Sequence, residues 1–169
     1  MQVLFNRLDE PPGETVMTST ETVATPKAQI LDVETARTLY LEFGKRQPDF
    51  TLVRRFYHPD VRFKDAISDI QGFDAFEEMF SSFAERYVEM AIEVHKVMRD
   101  EDTMFLHWTM TVRPNKRFPR IPVGGMTRWD LDADDRVVMH RDFYDIWGDT
   151  LRAVPGVRGL YNRLMAKFG

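Results

Sequence analysis

The residues best suited to chemistry lie in one short run near the C-terminal end, Val137-Val138-Met139-His140-Arg141-Asp142-Phe143-Tyr144-Asp145. Its alternation reads as a β-strand, so His140, Asp142 and Tyr144 share one face, and Arg141, Phe143 and Asp145 share the other. The first set combines a base, a carboxylate and a phenol, which is enough to take a proton from a bound molecule or to activate a water. The competing reading is a structural network in which Asp142 accepts hydrogen bonds from a neighbouring Tyr or Trp and braces the strand. Asp65, at the end of an earlier extended stretch, is a second carboxylate candidate, or else a turn residue ahead of Ser68-Asp69. Tyr40 and Tyr57 could each donate a hydrogen bond to a ligand oxygen or anchor a helix. Trp108 and Met110 alternate with His107 and Thr109, and together with Trp129 and Trp147 they are either core or the contact wall of a pocket.

Other chemistries lack their residues. With no cysteine among 169 residues there is no thiolate nucleophile, disulfide framework or cysteine-held metal. His107, His140 and Asp142 lack the spacing of a ligand set and no His-Glu-x-x-His run is present, so no metal and no cofactor is expected. Gly124-Gly125 is too short to cradle a phosphate, and no serine sits in a Gly-x-Ser-x-Gly setting. A net charge of -4 disfavours nucleic acid as a partner, although Arg113, Lys116, Arg117 and Arg120 form a local basic loop. That loop is either a solvated surface or an attractor for an anionic ligand at a pocket rim. No apolar run approaches the ~20 residues of a membrane span, so membrane contact is not expected and a cytoplasmic location is.

The pattern of elements says how these side chains are positioned. Residues 1–29, rich in Thr, Pro and Glu, bury too little to offset their ordering entropy and read as a disordered extension, with Met17 a second candidate start. The folded domain then spans 30–148. A helix begins after the cap Asp32, carries Val33, Ala36, Tyr40 and Leu41, and is expected to stop at Gly44. A second helix follows Asp49 and runs to the breaker His58-Pro59. A short strand over Val61–Asp65 leads to a third helix bearing Phe73, Phe76, Met79, Phe80 and Phe83 on one side. Four extended segments follow, at 87–98, 103–113, 121–132 and 136–147, and an amphipathic helix over 149–169 closes the chain. This helix could cap a pocket mouth, reinforce a dimer or lie on a surface. Helices followed by a run of antiparallel strands predict an α+β fold with the helices on one face of a curved sheet.

Three stretches in this order, Phe56-Tyr57-His58-Pro59-Asp60-Val61-Arg62-Phe63-Lys64-Asp65, Gln71-Gly72-Phe73-Asp74-Ala75-Phe76 and Val137–Asp145, resemble the nuclear transport factor 2-like superfamily and its SnoaL-like branch. The resemblance implies a cone-shaped, mixed but mostly antiparallel sheet wrapped around three N-terminal helices, plus a C-terminal helix. It also implies an apolar pocket at the open end, the His140, Asp142, Tyr144 set facing inward, and pairing of two copies through the outer sheet face. Asp65 is similar in place to the general base of ketosteroid isomerases and Tyr40 to one of their oxyanion donors, but the second donor falls near Gly125. Arg141-Asp142-Phe143 is similar to the Arg-Asp-aromatic motif of limonene epoxide hydrolases, whose other Arg and Asp fall at Trp108 and Met110. Neither set transfers whole. The functional expectation is therefore an isomerase, dehydratase, cyclase or epoxide hydrolase that needs no cofactor. Its catalytic candidates are Asp142, His140, Tyr144 and Asp65, and Tyr40, Tyr57, Trp108, Met110, Trp129 and Trp147 would contact an apolar small molecule. The alternative is a noncatalytic lipophile-binding or homodimeric interaction module.

Overall fold

The computed structural model describes residues 30–145, 148 and 156–167, so the expected extension at 1–29 and Trp147 lie outside the described residues. Helix α1 (Val33–Glu42) starts where Asp32 accepts the Thr35 N–H at 2.7 Å, satisfying an otherwise orphaned donor. Helix α2 (Phe50–Arg54) starts in the same way at Asp49, which accepts from Leu52 N at 3.0 Å. Helix α3 (Phe73–Glu85) opens at Gly72, whose φ of 92° is a conformation that glycine adopts without a Cβ penalty. Six strands form one sheet: β1 (Tyr57–Lys64), β2 (Asp69–Gln71), β3 (Glu89–Asp100), β4 (Thr103–Arg113), β5 (Ile121–Leu131) and β6 (Val137–Tyr144). Their order is β2-β1-β6-β5-β4-β3, with β1 and β6 parallel and every other neighbour antiparallel. Helix α4 (Val157–Met165) follows, with Leu160, Leu164 and Met165 exposed. Among the described residues no helix is long and apolar enough to cross a membrane.

The sheet curves around the helices, which gives the mixed α+β cone that the resemblance implied. The aromatic side of α3 drives this packing: Phe73 and Phe76 are buried against Tyr57 and Phe63 of β1, with ring centroids 5.2–5.8 Å apart. Leu39, Tyr40 and Phe43 bring α1 into the same core beside Trp108 and Trp129 of the sheet. A smaller apolar cluster of Val112, Ile121 and Val123, with Tyr87, Met90, Met110 and Tyr144 against it, forms at the far ends of β4 and β5.

One local expectation is corrected, and the reason for a glycine is changed. Helix α2 stops at Arg54 and His58-Pro59 lies inside β1, because the β1–β6 register is interrupted between Tyr57 and Arg62 and a residue without an N–H is tolerated at such a break. Pairing of β1 with β2 begins only at Arg62, so Pro59 lies outside that ladder as well. Gly44 follows the α1 cap Phe43 directly, so the helix stops where expected, but Gly44 is not among the positive-φ residues and the cap keeps right-handed helical geometry. Its lack of a side chain serves close approach: a Cβ at Gly44 would lie 2.6 Å from the backbone nitrogen of Ile92 on β3. Gly44→Ala must therefore push α1 away from β3. The expected outcome is a loss of about 1–3 kcal/mol, read as a lower denaturant midpoint at unchanged slope. An unchanged midpoint would show that the contact relaxes freely.

Candidate active site

Strand β6 turns inward the set that the family resemblance implied, with its members on one face as the alternation required. His140 is fully buried, Asp142 and Tyr144 are half-buried, and Arg141, Phe143 and Asp145 are exposed on the outer face. A cavity of about 390 Å³ lies between the sheet, α1 and α3, a volume suited to a small molecule. Tyr40, Phe43, Phe63 and Trp108 line it as buried residues, whereas Ile67 and Arg86 line it while exposed. The buried group marks the floor and the exposed group the mouth. Asp142 and Tyr144 lie on the wall between them, with Met110 and Asp65 also on the lining.

The floor is built from a hydrogen-bonded chain. Tyr57 hydroxyl lies 3.0 Å from His140 Nδ1, and His140 Nε2 lies 3.0 Å from Asp142 Oδ1. With Tyr57 donating to Nδ1, the imidazole carries its proton on Nε2 and donates it to the carboxylate. Thr127, directly opposite Asp142 in the β5–β6 register, bonds Asp142 Oδ1 through its hydroxyl and accepts the Trp108 indole N–H at 2.8 Å. Tyr40 hydroxyl lies 2.7 Å from Thr127 Oγ1 and 3.3 Å from Asp142 Oδ1. Thr127 has one proton to give. If it goes to Oδ1, Tyr40 donates to Thr127, and if it goes to Tyr40, Tyr40 donates to Oδ1. Either way one hydroxyl proton joins the imidazole proton on the same carboxylate oxygen. Every hydrogen bond that the described residues make to Asp142 falls on Oδ1, which leaves Oδ2 as its uncommitted oxygen.

A second carboxylate sits closer to the mouth. Tyr144 hydroxyl donates to Asp65 Oδ2 at 3.0 Å, while Asp65 Oδ1 accepts the backbone N–H groups of Ile67 at 2.8 Å and Ser68 at 2.5 Å. Asp65 therefore organises the turn before β2, as one of its two sequence readings expected, and it also stands on the cavity lining. Burial, with the Asp142 charge second, pushes the phenols of Tyr40 and Tyr57 well above the ordinary tyrosine range. Tyr144 is also raised, by burial first and by the neighbouring Asp65 charge and hydrogen bond next, and Tyr87 by burial against an opposing Arg86 charge.

Several expected ligand contacts are placed differently. Tyr57 is buried behind the floor and does not line the cavity, because its hydroxyl is committed to His140. Trp129 is fully buried among Tyr40, Tyr57 and His140 and is likewise absent from the lining, so it packs the floor from behind. Tyr40 reaches the cavity, but its hydroxyl is engaged by Thr127 and Asp142. Trp108 and Met110 line the cavity as expected, and the Trp108 ring fills the space above Gly125, where an added Cβ would lie 2.4 Å from it. His107 belongs to the outer face and is exposed, so it cannot join His140 and Asp142 around one ion. Among the described residues no three His, Asp or Glu side chains are grouped to hold a metal. Thr127 was not singled out from the sequence, since a lone strand threonine carries no chemical signal and only the register places it opposite Asp142. Ser68, Arg86 and Tyr87, also on the lining, were missed for the same reason.

The raised phenols give a titration test. Of the five tyrosines, Tyr40, Tyr57, Tyr87 and Tyr144 keep their protons in the folded chain at pH values where an ordinary phenol is half ionised. A group with a raised folded pKa contributes stability that is fully present below its unfolded pKa of about 10 and lost as pH rises through the folded value. Phenolate absorbance of the native protein should therefore stay low past that pH and jump with alkaline unfolding. Smooth ionisation of all the tyrosines near pH 10 would contradict the buried network.

The comparisons with known proteins agree with this architecture. The SnoaL-like domain family profile matches residues 36–140. A protein of Jannaschia sp. CCS1, described as belonging to the SnoaL-like polyketide cyclases, is 20% identical, with a TM-score of 0.63 over 73% of this chain and 91% of that one. An LEH-like epoxide hydrolase of M. tuberculosis is 17% identical, with a TM-score of 0.58 over 78% and 93% of the two chains. A SnoaL-like family protein of Agrobacterium tumefaciens str. C58, described as an isomerase, is 14% identical with a TM-score of 0.56, covering 67% and 97%. At these identities the likeness establishes the fold. No protein of curated function matches the sequence significantly.

Proposed function

Taking as premise that the chain belongs to the SnoaL-like domain family, we propose that it is a cofactor-independent enzyme acting on an apolar, oxygenated small molecule, with Asp142 as general base. The observation that carries this reading is the one-sided use of the Asp142 carboxylate: His140 and the Thr127–Tyr40 pair converge on Oδ1 and leave Oδ2 at the cavity wall. A carboxylate held only for structure has no need of an unused oxygen beside a cavity. Oδ2 would take a proton from a carbon next to a carbonyl or from a water, while the imidazole N–H and the hydroxyl fix the orientation of the group. Tyr144 is the nearest donor for the substrate oxygen, since it can turn its proton from Asp65 toward a ligand. Return of the proton at another atom completes an isomerisation; loss of hydroxide, ring closure or attack by the activated water would give dehydration, cyclisation or epoxide opening. Solved relatives of this fold described as a cyclase, an epoxide hydrolase and an isomerase make this range reasonable.

Asp142→Asn keeps the shape but removes the base. Against a panel of an unsaturated ketone, a hydroxy ketone and an apolar epoxide, the wild-type chain should turn over at least one member. The variant should bind that member with near-normal affinity and lose about 10²–10⁴ of the rate. Binding without turnover of any member by the wild-type protein would favour the noncatalytic lipophile-binding module instead.

A homodimer through the outer sheet face belongs to the same proposal. Met126 and Phe143 are 43% and 47% exposed there, beside Phe105 and His107 in a shallow apolar depression. Light scattering should report twice the 19.9 kDa chain mass at micromolar concentration. A species of single-chain mass would remove the dimer.

A further inference from the structure

The two ends of the cavity differ in a way that describes its ligand. At the floor the polar atoms are bonded to one another: Trp108 to Thr127, Thr127 and Tyr40 to Asp142, and Tyr57 to His140. Toward the mouth three donors line the cavity with no hydrogen bond or ion pair to another described residue, namely the Ser68 hydroxyl, the Arg86 guanidinium and the Tyr87 hydroxyl. Arg86 differs in this from Arg54, Arg62, Arg99, Arg113 and Arg120, which all sit in ion pairs. It is also the C-terminal cap of α3, where the helix dipole favours a cation and where its backbone is held by the Phe83 carbonyl. Tyr87 follows Arg86 directly in the chain, and both line this cavity. Asp65, the carboxylate nearest this end, is already satisfied by Tyr144 and two backbone N–H groups and forms no ion pair with Arg86.

We propose that the cavity takes an amphiphile whose carboxylate is anchored at the mouth by Arg86, with Tyr87 and Ser68 as additional donors, and whose apolar body runs inward so that its oxygenated end meets Asp142. A planar guanidinium flanked by hydroxyls matches a single carboxylate in shape and charge, whereas one cation is poorly matched to a doubly charged phosphate. Lys116 and Arg117, exposed in the loop joining β4 and β5, add positive potential at the end of the sheet where Val112 and Val123 line the cavity. This names the substrate class for the site proposed above and rests on that reading of the cavity, although it does not depend on Asp142 being catalytic.

The test compares cis-parinaric acid with its methyl ester by fluorescence, using the full chain. The acid should bind roughly tenfold more tightly than the ester, and its affinity should fall as salt is raised while that of the ester does not. Arg86→Gln, a change at an exposed position, should bring the acid down to the ester's affinity, and Arg86→Lys should restore part of the preference. Equal binding of acid and ester by the wild-type chain, or an unchanged ratio in Arg86→Gln, would overturn the carboxylate anchor while leaving the apolar cavity intact. Failure of both probes to bind would overturn the anchor and the cavity's role as a lipophile site together.

Discussion

The organisation of this protein depends on one carboxylate oxygen. Asp142 Oδ1 receives an imidazole N–H and a hydroxyl proton, and each donor is itself held by a further buried group: His140 by Tyr57, and Thr127 by Trp108 and Tyr40. The chain draws on α1, β1, β4, β5 and β6 at once, so almost every layer of the fold has a polar group committed to it. A buried network of this kind is favourable only while every member is satisfied, because an unpaired polar group in an apolar interior costs about 1–3 kcal/mol. Exact placement of helix α1 against the sheet is therefore required, which is consistent with the glycine at position 44 where its chain meets β3.

The same arrangement explains how one residue can be both brace and reagent. Structural bonds are confined to one oxygen of a residue that lines a cavity, and the apolar part of that cavity's wall is phenylalanine, methionine, tryptophan, isoleucine and valine. The floor supplies orientation without consuming the reactive atom. Closer to the mouth, Tyr144 and Asp65 form a second pair from different strands, and farther out the uncommitted donors begin. The polarity thus changes from a floor whose hydroxyl, imidazole and Trp108 indole groups bond one another to a rim with uncommitted donors, which is how an elongated ligand with unlike ends would be held in one direction.

Aromatic residues make this geometry rigid. Phe43, Phe63, Phe76, Phe80, Tyr57 and Trp129 surround the His140 ring at centroid distances of 5.1–6.3 Å. Such packing fixes the imidazole plane and leaves its two nitrogens aimed at Tyr57 and Asp142. Trp108 has two functions: its ring occupies the space left by Gly125, and its N–H anchors Thr127.

Much of this was legible in the sequence. Period-two alternation decided which side chains of β6 share a face, the caps Asp32 and Asp49 set two helix starts, and the spacing of the phenylalanines gave α3 its aromatic side, because each rests on local stereochemistry. Pairing was beyond it. Thr127 became part of the site through its register with Asp142, Tyr57 and Trp129 moved behind the floor through the curvature of the sheet, and Arg86 reached the mouth through the position of α3. Pro59, a helix breaker by local rules, became a strand residue because the ladder is interrupted where it sits. Sequence by itself therefore determined which side chains share a face, since that depends on backbone period alone. Only the tertiary structure decided which oxygen of Asp142 is left free and which donors remain uncommitted, because both are set by contacts between residues far apart in the chain.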